Sequence, residues 1–116
     1  MVPDIDRVRQ WLDAALQHAD GTHTVDNVLE GCRTGAFQLW LGENCVLVTE
    51  IVTYPLRRDL NYWLAGGDLE ELKSLEPGVN AWARACGCTR ITGGGRTGWA
   101  KVYPGMKRTL ILSREI

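Results

Sequence analysis

Apolar residues recur at helical spacing near the start of the chain and again in its second half, with extended apolar runs between. Ile5, Val8, Trp11, Leu12, Ala15, Leu16 and Ala19 share one face of a helix that begins at Pro3-Asp4 and closes near Asp20-Gly21. Thr22 or Thr24 then caps a second, shorter helix with Val25, Val28 and Leu29 inward and a stop near Thr34-Gly35. Three extended runs follow, over 36–41, 45–54 and 60–65, separated by Gly42-Glu43-Asn44 and by a polar loop from Pro55 to Asp59. Short loops between neighbouring strands predict an antiparallel meander. In the third run Leu60, Tyr62 and Leu64 lie on one side and Trp63 and Ala65 on the other, so both faces are apolar, as in the middle of a sheet.

After that run come Gly66-Gly67 and then Asp68, placed as the N-cap of a long helix. Leu69, Leu72, Leu75, Val79, Trp82, Ala83 and Cys86 line its inner face, and Gly87 ends it. Pro77 inside the pattern predicts a kink or break near Leu75-Glu76. A short strand over 89–92 completes a strand–helix–strand unit with a right-handed crossover. The rest reads as a short helix over 99–103 and a final strand over 109–113, in which Leu110 and Leu112 alternate with Thr109 and Ile111. The expected fold class is α+β (α/β): one mixed, mostly antiparallel sheet with flanking helices, in one domain spanning 1–116.

Composition narrows the possible partners. A net charge of −1 with 23% charged residues gives no basic excess, so nucleic acid is not an expected partner. No apolar run is long enough to span a bilayer and no secretory leader precedes the first helix, so no membrane partner is expected and the default compartment is the cytoplasm. Cys32, Cys45, Cys86 and Cys88 are too sparse for a disulfide scaffold and read as core residues or free thiols. Cys86-Gly87-Cys88 has neither a finger's nor a knuckle's spacing, so no metal site is assigned. His18 and His23 flank the first helical junction as surface groups.

Two stretches invite chemistry. Glycines at a strand-to-helix turn can leave backbone N–H groups free at a helix N-terminus, which makes Gly66 to Leu69 a candidate anion site. Glu50 interrupts an apolar strand. It either faces solvent, or is buried as a general base or as the partner of Arg57 or Arg90. Gly93 to Gly98 satisfies G-x-G-x-x-G literally, yet only 18 residues follow Gly98, too few for a dinucleotide fold's second crossover.

The order of elements resembles a trimmed version of the Gcn5-related N-acetyltransferase (GNAT-like) superfamily. The most specific local match is Trp99-Ala100-Lys101-Val102-Tyr103-Pro104-Gly105-Met106, similar to that superfamily's last helix and following turn. By this resemblance Tyr103 takes the place of the general acid that protonates the coenzyme A thiolate, and Glu50 is the carboxylate available as base. The acyl-CoA loop would correspond to Leu64, Ala65, Gly66, Gly67, Asp68 and Leu69. Here the loop is short, lacks the superfamily's arginine, and sets Asp68 where phosphate charge would lie. The expectation is therefore no cofactor, with acetyl-CoA as the alternative for an active N-acyltransferase of unknown acceptor.

The segments VTEIVTYPLRR, LNYWLAGGDL and NAWARACGC also resemble a group of small proteins of tailed bacteriophages and prophages. This resemblance implies an accessory or virion-associated protein, in the bacterial host's cytoplasm or in the virion. It would act as a non-catalytic interaction module and bind phage structural or assembly proteins, as a homo-oligomer or within a symmetric assembly. The candidate partner-binding surface is Arg57, Arg58, Arg96, Lys101, Lys107 and Arg108. If these are solvated docking charges, reversing Arg57 and Arg58 should leave the melting temperature unchanged.

Overall fold

The structure, a computed structural model, describes residues 3–94 and 102–116. Two helices, α1 (Ile5–Leu16) and α2 (Val25–Thr34), precede strands β1 (Gln38–Leu41), β2 (Cys45–Thr53) and β3 (Arg58–Gly67). Helix α3 (Leu69–Ala85) then crosses over to β4 (Arg90–Gly93). The sheet order is β1-β2-β3-β4, with the first three strands antiparallel and β4 parallel to β3. This is the mixed sheet the pattern predicts.

Local chemistry sets each helix boundary. The Asp4 carboxylate accepts from Arg7 N to start α1, and the helix closes through single-turn bonds such as His18 N to Ala15 O before Gly21 at φ +68°. Of the two candidate caps for α2, Thr24 is the one used. Its hydroxyl accepts from Asn27 N while the Asn27 side chain accepts from Thr24 N, a reciprocal capping box. Helix α3 starts at the predicted N-cap, with Asp68 accepting from Glu71 N at 2.9 Å. It ends where Gly87 takes φ +86° and Cys88 N returns to Ala83 O.

The sheet separates two apolar layers. Val8, Leu12 and Ala15 of α1 and Val28 of α2 bury Val46, Val48 and Leu64 on one face. Leu72, Val79 and Ala83 of α3 pack on Cys45, Leu47, Leu60 and Tyr62 on the other. Alternation along β2 therefore feeds two cores, which is why Cys45 through Thr49 are all buried. The buried Thr49 hydroxyl is satisfied within the sheet, accepting from Trp40 Nε1 and donating to Gln38 Oε1, both at 2.9 Å.

Three expectations change. The break near Leu75-Glu76 is absent: α3 runs through Pro77 because Pro77 and Gly78 lie on its exposed side, where the carbonyl freed by the missing N–H is open to water. The final strand over 109–113 is also absent. Leu110, Ile111 and Leu112 are 82–89% exposed and pair with nothing among the described residues, since alternation makes a strand only where a ladder partner is within reach. Lastly, Gly66 and Gly67 form no turn. They belong to β3, opposite Val46 and Cys45. The short helix expected over 99–103 lies mostly outside the described residues.

Candidate functional site

Strand β4 pairs with β3 only from Asp59 to Tyr62, whereas β3 runs five residues further, to Gly67. Among the described residues, nothing pairs with β3 beyond Tyr62 on the side that faces β4. A bulge sits at the same place: Val48 opposes Leu64 and Thr49 opposes Tyr62, so Trp63 is the extra residue and shifts the alternation of β3 by one. The opening is a mostly apolar cavity of about 120 Å³ between Tyr62 to Ala65 on one side and Tyr103 to Met106 on the other.

Two phenols and one carboxylate meet there. The Tyr62 and Tyr103 rings contact edge to face at 5.4 Å. Tyr62 donates to Asn80 Oδ1 at 2.5 Å, and Asn80 Nδ2 donates to Glu76 Oε1 at 3.4 Å. Burial raises the Tyr103 pKa above the ordinary phenol value, and the negative charge of Glu76 raises it further. Tyr62 is raised in the same way, by burial first and then by Glu76. Both phenols stay protonated at neutral pH, the form in which a phenol can donate a proton. Glu76 and Asn80 were not among the sequence candidates, although Glu76 stands four residues after Leu72 and three before Val79, both inward-facing.

At the N-terminus of α3 the expected anion site is occupied by the protein itself. Asp68 N donates to Asn44 O at 2.8 Å and the Asp68 side chain takes Glu71 N. The Glu71 carboxylate reaches back to accept from Asn44 N at 2.9 Å, above Gly42. The nearby Cys45 thiol is pushed up to about 12, by burial first and then by Glu71. The glycines serve packing here. A Cβ on Gly66 would stand 2.9 Å from Trp11 Cβ, and one on Gly67, at φ +95°, only 2.2 Å from Asn44 O. Asp68, Glu70 and Glu71 put three carboxylates around one helix start, with Lys73 near Glu70 at 3.5 Å.

The remaining sequence candidates are scattered. Glu50 is half-buried opposite Asn61 on β3; alternation from Val46 and Val48 puts it on the α1–α2 face, and it does not line the Tyr103 cavity. Arg57 is engaged within the fold: its Nε donates to Asp59 at 2.9 Å, and the Asp59 side chain is 3% exposed. Arg58 donates to Cys86 O at 2.6 Å and so covers the C-terminal end of α3. Lys107 and Arg108 are exposed, and Arg96 and Lys101 lie outside the described residues. Of the six cations, Arg57 and Arg58 are thus tied into the fold. His23 is exposed but not isolated, packing edge-on against Trp63 at 4.6 Å while Phe37 meets the same indole at 4.8 Å. The four cysteines are free thiols. Among the described residues no group of three His, Cys, Asp or Glu could hold a metal, and no helix is long and apolar enough to cross a membrane.

No protein-family model matches the sequence, and no curated protein matches it. Solved structures do match by fold. An aminoglycoside acetyltransferase from an uncultured soil metagenomic sample, in complex with sisomicin, superposes with a TM-score of 0.66 at 8% identity, covering 96% of this chain and 86% of that one. The protein TTHA1254 from Thermus thermophilus superposes with a TM-score of 0.62 at 17% identity, covering 97% of this chain and 90% of that one. At these identities the likeness is one of fold: the chain has an acetyltransferase-like α+β fold.

Proposed function

We propose that the chain is a non-catalytic interaction module on an acetyltransferase-like fold, acting as an accessory or virion-associated protein of a tailed phage. The observation that supports the non-catalytic part is the first turn of α3. A pyrophosphate there would meet the carboxylates of Asp68, Glu70 and Glu71. It would also find Glu71 N already bonded to Asp68, and Gly66 and Gly67 held in the β2–β3 ladder. Like charge at a helix start opposes an anion at the place where free amides would favour one. The cavity points the same way: about 120 Å³ is well below the ~300 Å³ at which small-molecule pockets begin. These residues do not fit acetyl-CoA. The phage setting rests on the sequence segments that resemble phage and prophage proteins.

Isothermal titration with acetyl-CoA tests the first part. No heat of binding is expected up to about 1 mM, and a dissociation constant in the low micromolar range would overturn the reading. Mass spectrometry of purified virions tests the setting, where absence of the polypeptide from both virions and assembly intermediates would count against it.

One observation favours a second reading, an active N-acyltransferase of unknown acceptor. Tyr103 is a buried phenol held protonated beside Glu76, the state a general acid requires. On that reading Tyr103→Phe slows turnover, and comparison of Glu50→Gln with Glu76→Gln identifies the base.

A further inference from the structure

Strand β4 is the last strand of the sheet, and among the described residues nothing pairs with its outer edge. An open edge presents unpaired N–H and C=O groups that accept an additional strand. A cleft of about 500 Å³ lies where the C-terminal half of α3 meets the start of β4, and Asn80, Arg84, Thr89, Arg90 and Ile91 are among the residues that line it. Both arginines are exposed, and among the described residues neither side chain makes a hydrogen bond or ion pair. This distinguishes them from Arg57 and Arg58, whose guanidinium groups are held by Asp59 and by the Cys86 carbonyl.

The two arginines flank the edge. Ile91 packs into the core cluster under α3, so the period of two along β4 turns Arg90 toward the opposite face. Arg84, one helical turn after Asn80, stands on the α3 side. A strand added to β4 alternates its own side chains between the same two faces. Two successive acidic residues on it would therefore meet Arg84 on one face and Arg90 on the other.

From this placement we infer that the outer edge of β4 binds an extended acidic peptide segment of a partner protein by strand addition, with Arg84 and Arg90 each receiving one carboxylate. Charge selects this occupant over the chain's own C-terminal segment. Residues 107–116 are apolar enough to form a strand, but they bring Lys107, Arg108 and Arg114 against one acid, Glu115. Laid beside Arg84 and Arg90, that segment would set cation against cation. The inference rests on the interaction-module reading and gives it a surface and a partner chemistry. It stands apart from the α3 N-terminus, so the acetyl-CoA titration and the test below fail independently.

The probe is a fluorescein-labelled hexapeptide, Thr-Val-Glu-Glu-Val-Thr, followed by fluorescence anisotropy on the full chain. A Lys-Lys version serves as control, and amide hydrogen exchange is read in parallel. Saturable binding is expected, weakened by salt and absent for the Lys-Lys peptide. The double variant R84E/R90E should bind at least about tenfold more weakly, with an unchanged circular dichroism spectrum. Of the amides from Arg90 to Gly93, the alternate ones that point away from β3 should gain exchange protection only when peptide is present. Equal binding of both peptides, or full affinity in the double variant, would overturn the charge assignment. Strong protection of those amides in the free protein would overturn the inference as a whole, because the edge would then already belong to the chain itself.

Discussion

Replacing Arg57 tests whether this region is a docking surface or part of the fold. The Asp59 side chain is 3% exposed, and Arg57, with its own side chain 42% exposed, gives it a hydrogen bond of 2.9 Å. The guanidinium also lies 5.4 Å from the centre of the Tyr54 ring, across the turn that joins β2 to β3. Arg57→Ala leaves a carboxylate inside the sheet with its cation gone. Breaking a fully buried pair in this way costs ~3–5 kcal/mol, whereas an exposed pair is worth ~0–1 kcal/mol. Water reaches the guanidinium but not the carboxylate, so a value between the two, about 2 kcal/mol, is expected. For a domain of 116 residues that corresponds to a fall in melting temperature of roughly 8 °C. Charge reversal at both Arg57 and Arg58 should cost more, since it sets a second carboxylate beside Asp59 and removes the cation over the end of α3. Thermal unfolding by circular dichroism reads the effect, and R57A/D59N, which removes both charges, should recover part of the loss. A melting temperature for Arg57→Ala within 1 °C of the parent, about 0.25 kcal/mol, would refute the reasoning and restore Arg57 as a free surface charge.

Two further outcomes follow from the same geometry. Burial and the charge of Glu76 raise Tyr62 and Tyr103 in the folded state, so the unfolded chain loses these protons first. Their contribution to stability is complete below the free phenol value of about 10 and declines as pH rises above it. A steep loss of stability above about pH 10 that is shallower in Tyr62→Phe is expected, with phenolate absorbance near 295 nm as the readout; identical profiles in the two proteins would contradict it. Gly66→Ala should destabilise by roughly 1–3 kcal/mol, because its Cβ would meet Trp11 of α1 at 2.9 Å. Denaturant unfolding measures this, and a neutral result would mean that α1 can withdraw from β3.

Much of the architecture was legible because periodicity acts locally. Val8, Leu12 and Ala15 sit three or four residues apart whatever they pack on, and Asp68 caps α3 through a bond to a residue only three positions away. What could not be read depends on packing between parts of the chain distant in sequence. The pattern in 109–113 looks like a strand, but a strand also needs an edge to join. Arg57 looks like a surface cation until Asp59, two residues on, is seen to be buried. Glu76 is inconspicuous in the sequence beside Pro77, and only the packing of α3 against Tyr62 and Tyr103 brings its charge to the cavity.

The glycine pair shows how one sequence feature can serve two opposite ends. A Gly-Gly before a capped helix suits a loop that wraps phosphate, and it equally suits a strand over which other backbones pass closely. The neighbouring residues decide between the two. Asn44 takes the Asp68 amide and Glu71 takes the Asn44 amide, which closes the β1–β2 turn onto the start of α3. Cys45 and Val46 take Gly67 and Gly66 as ladder partners, and Trp11 occupies the space that a side chain on Gly66 would need. An anion could reach those amides only if the β1–β2 turn moved away, and that movement would leave the ladder end unpaired and the carboxylates in place. The contacts that stabilise this corner of the fold are thus the same ones that take up the amides of Asn44, Asp68 and Glu71. Arg84 and Arg90, whose side chains make no hydrogen bond or ion pair among the described residues, lie toward the other end of α3, and it is there that the proposed acidic segment would find cations in place of carboxylates.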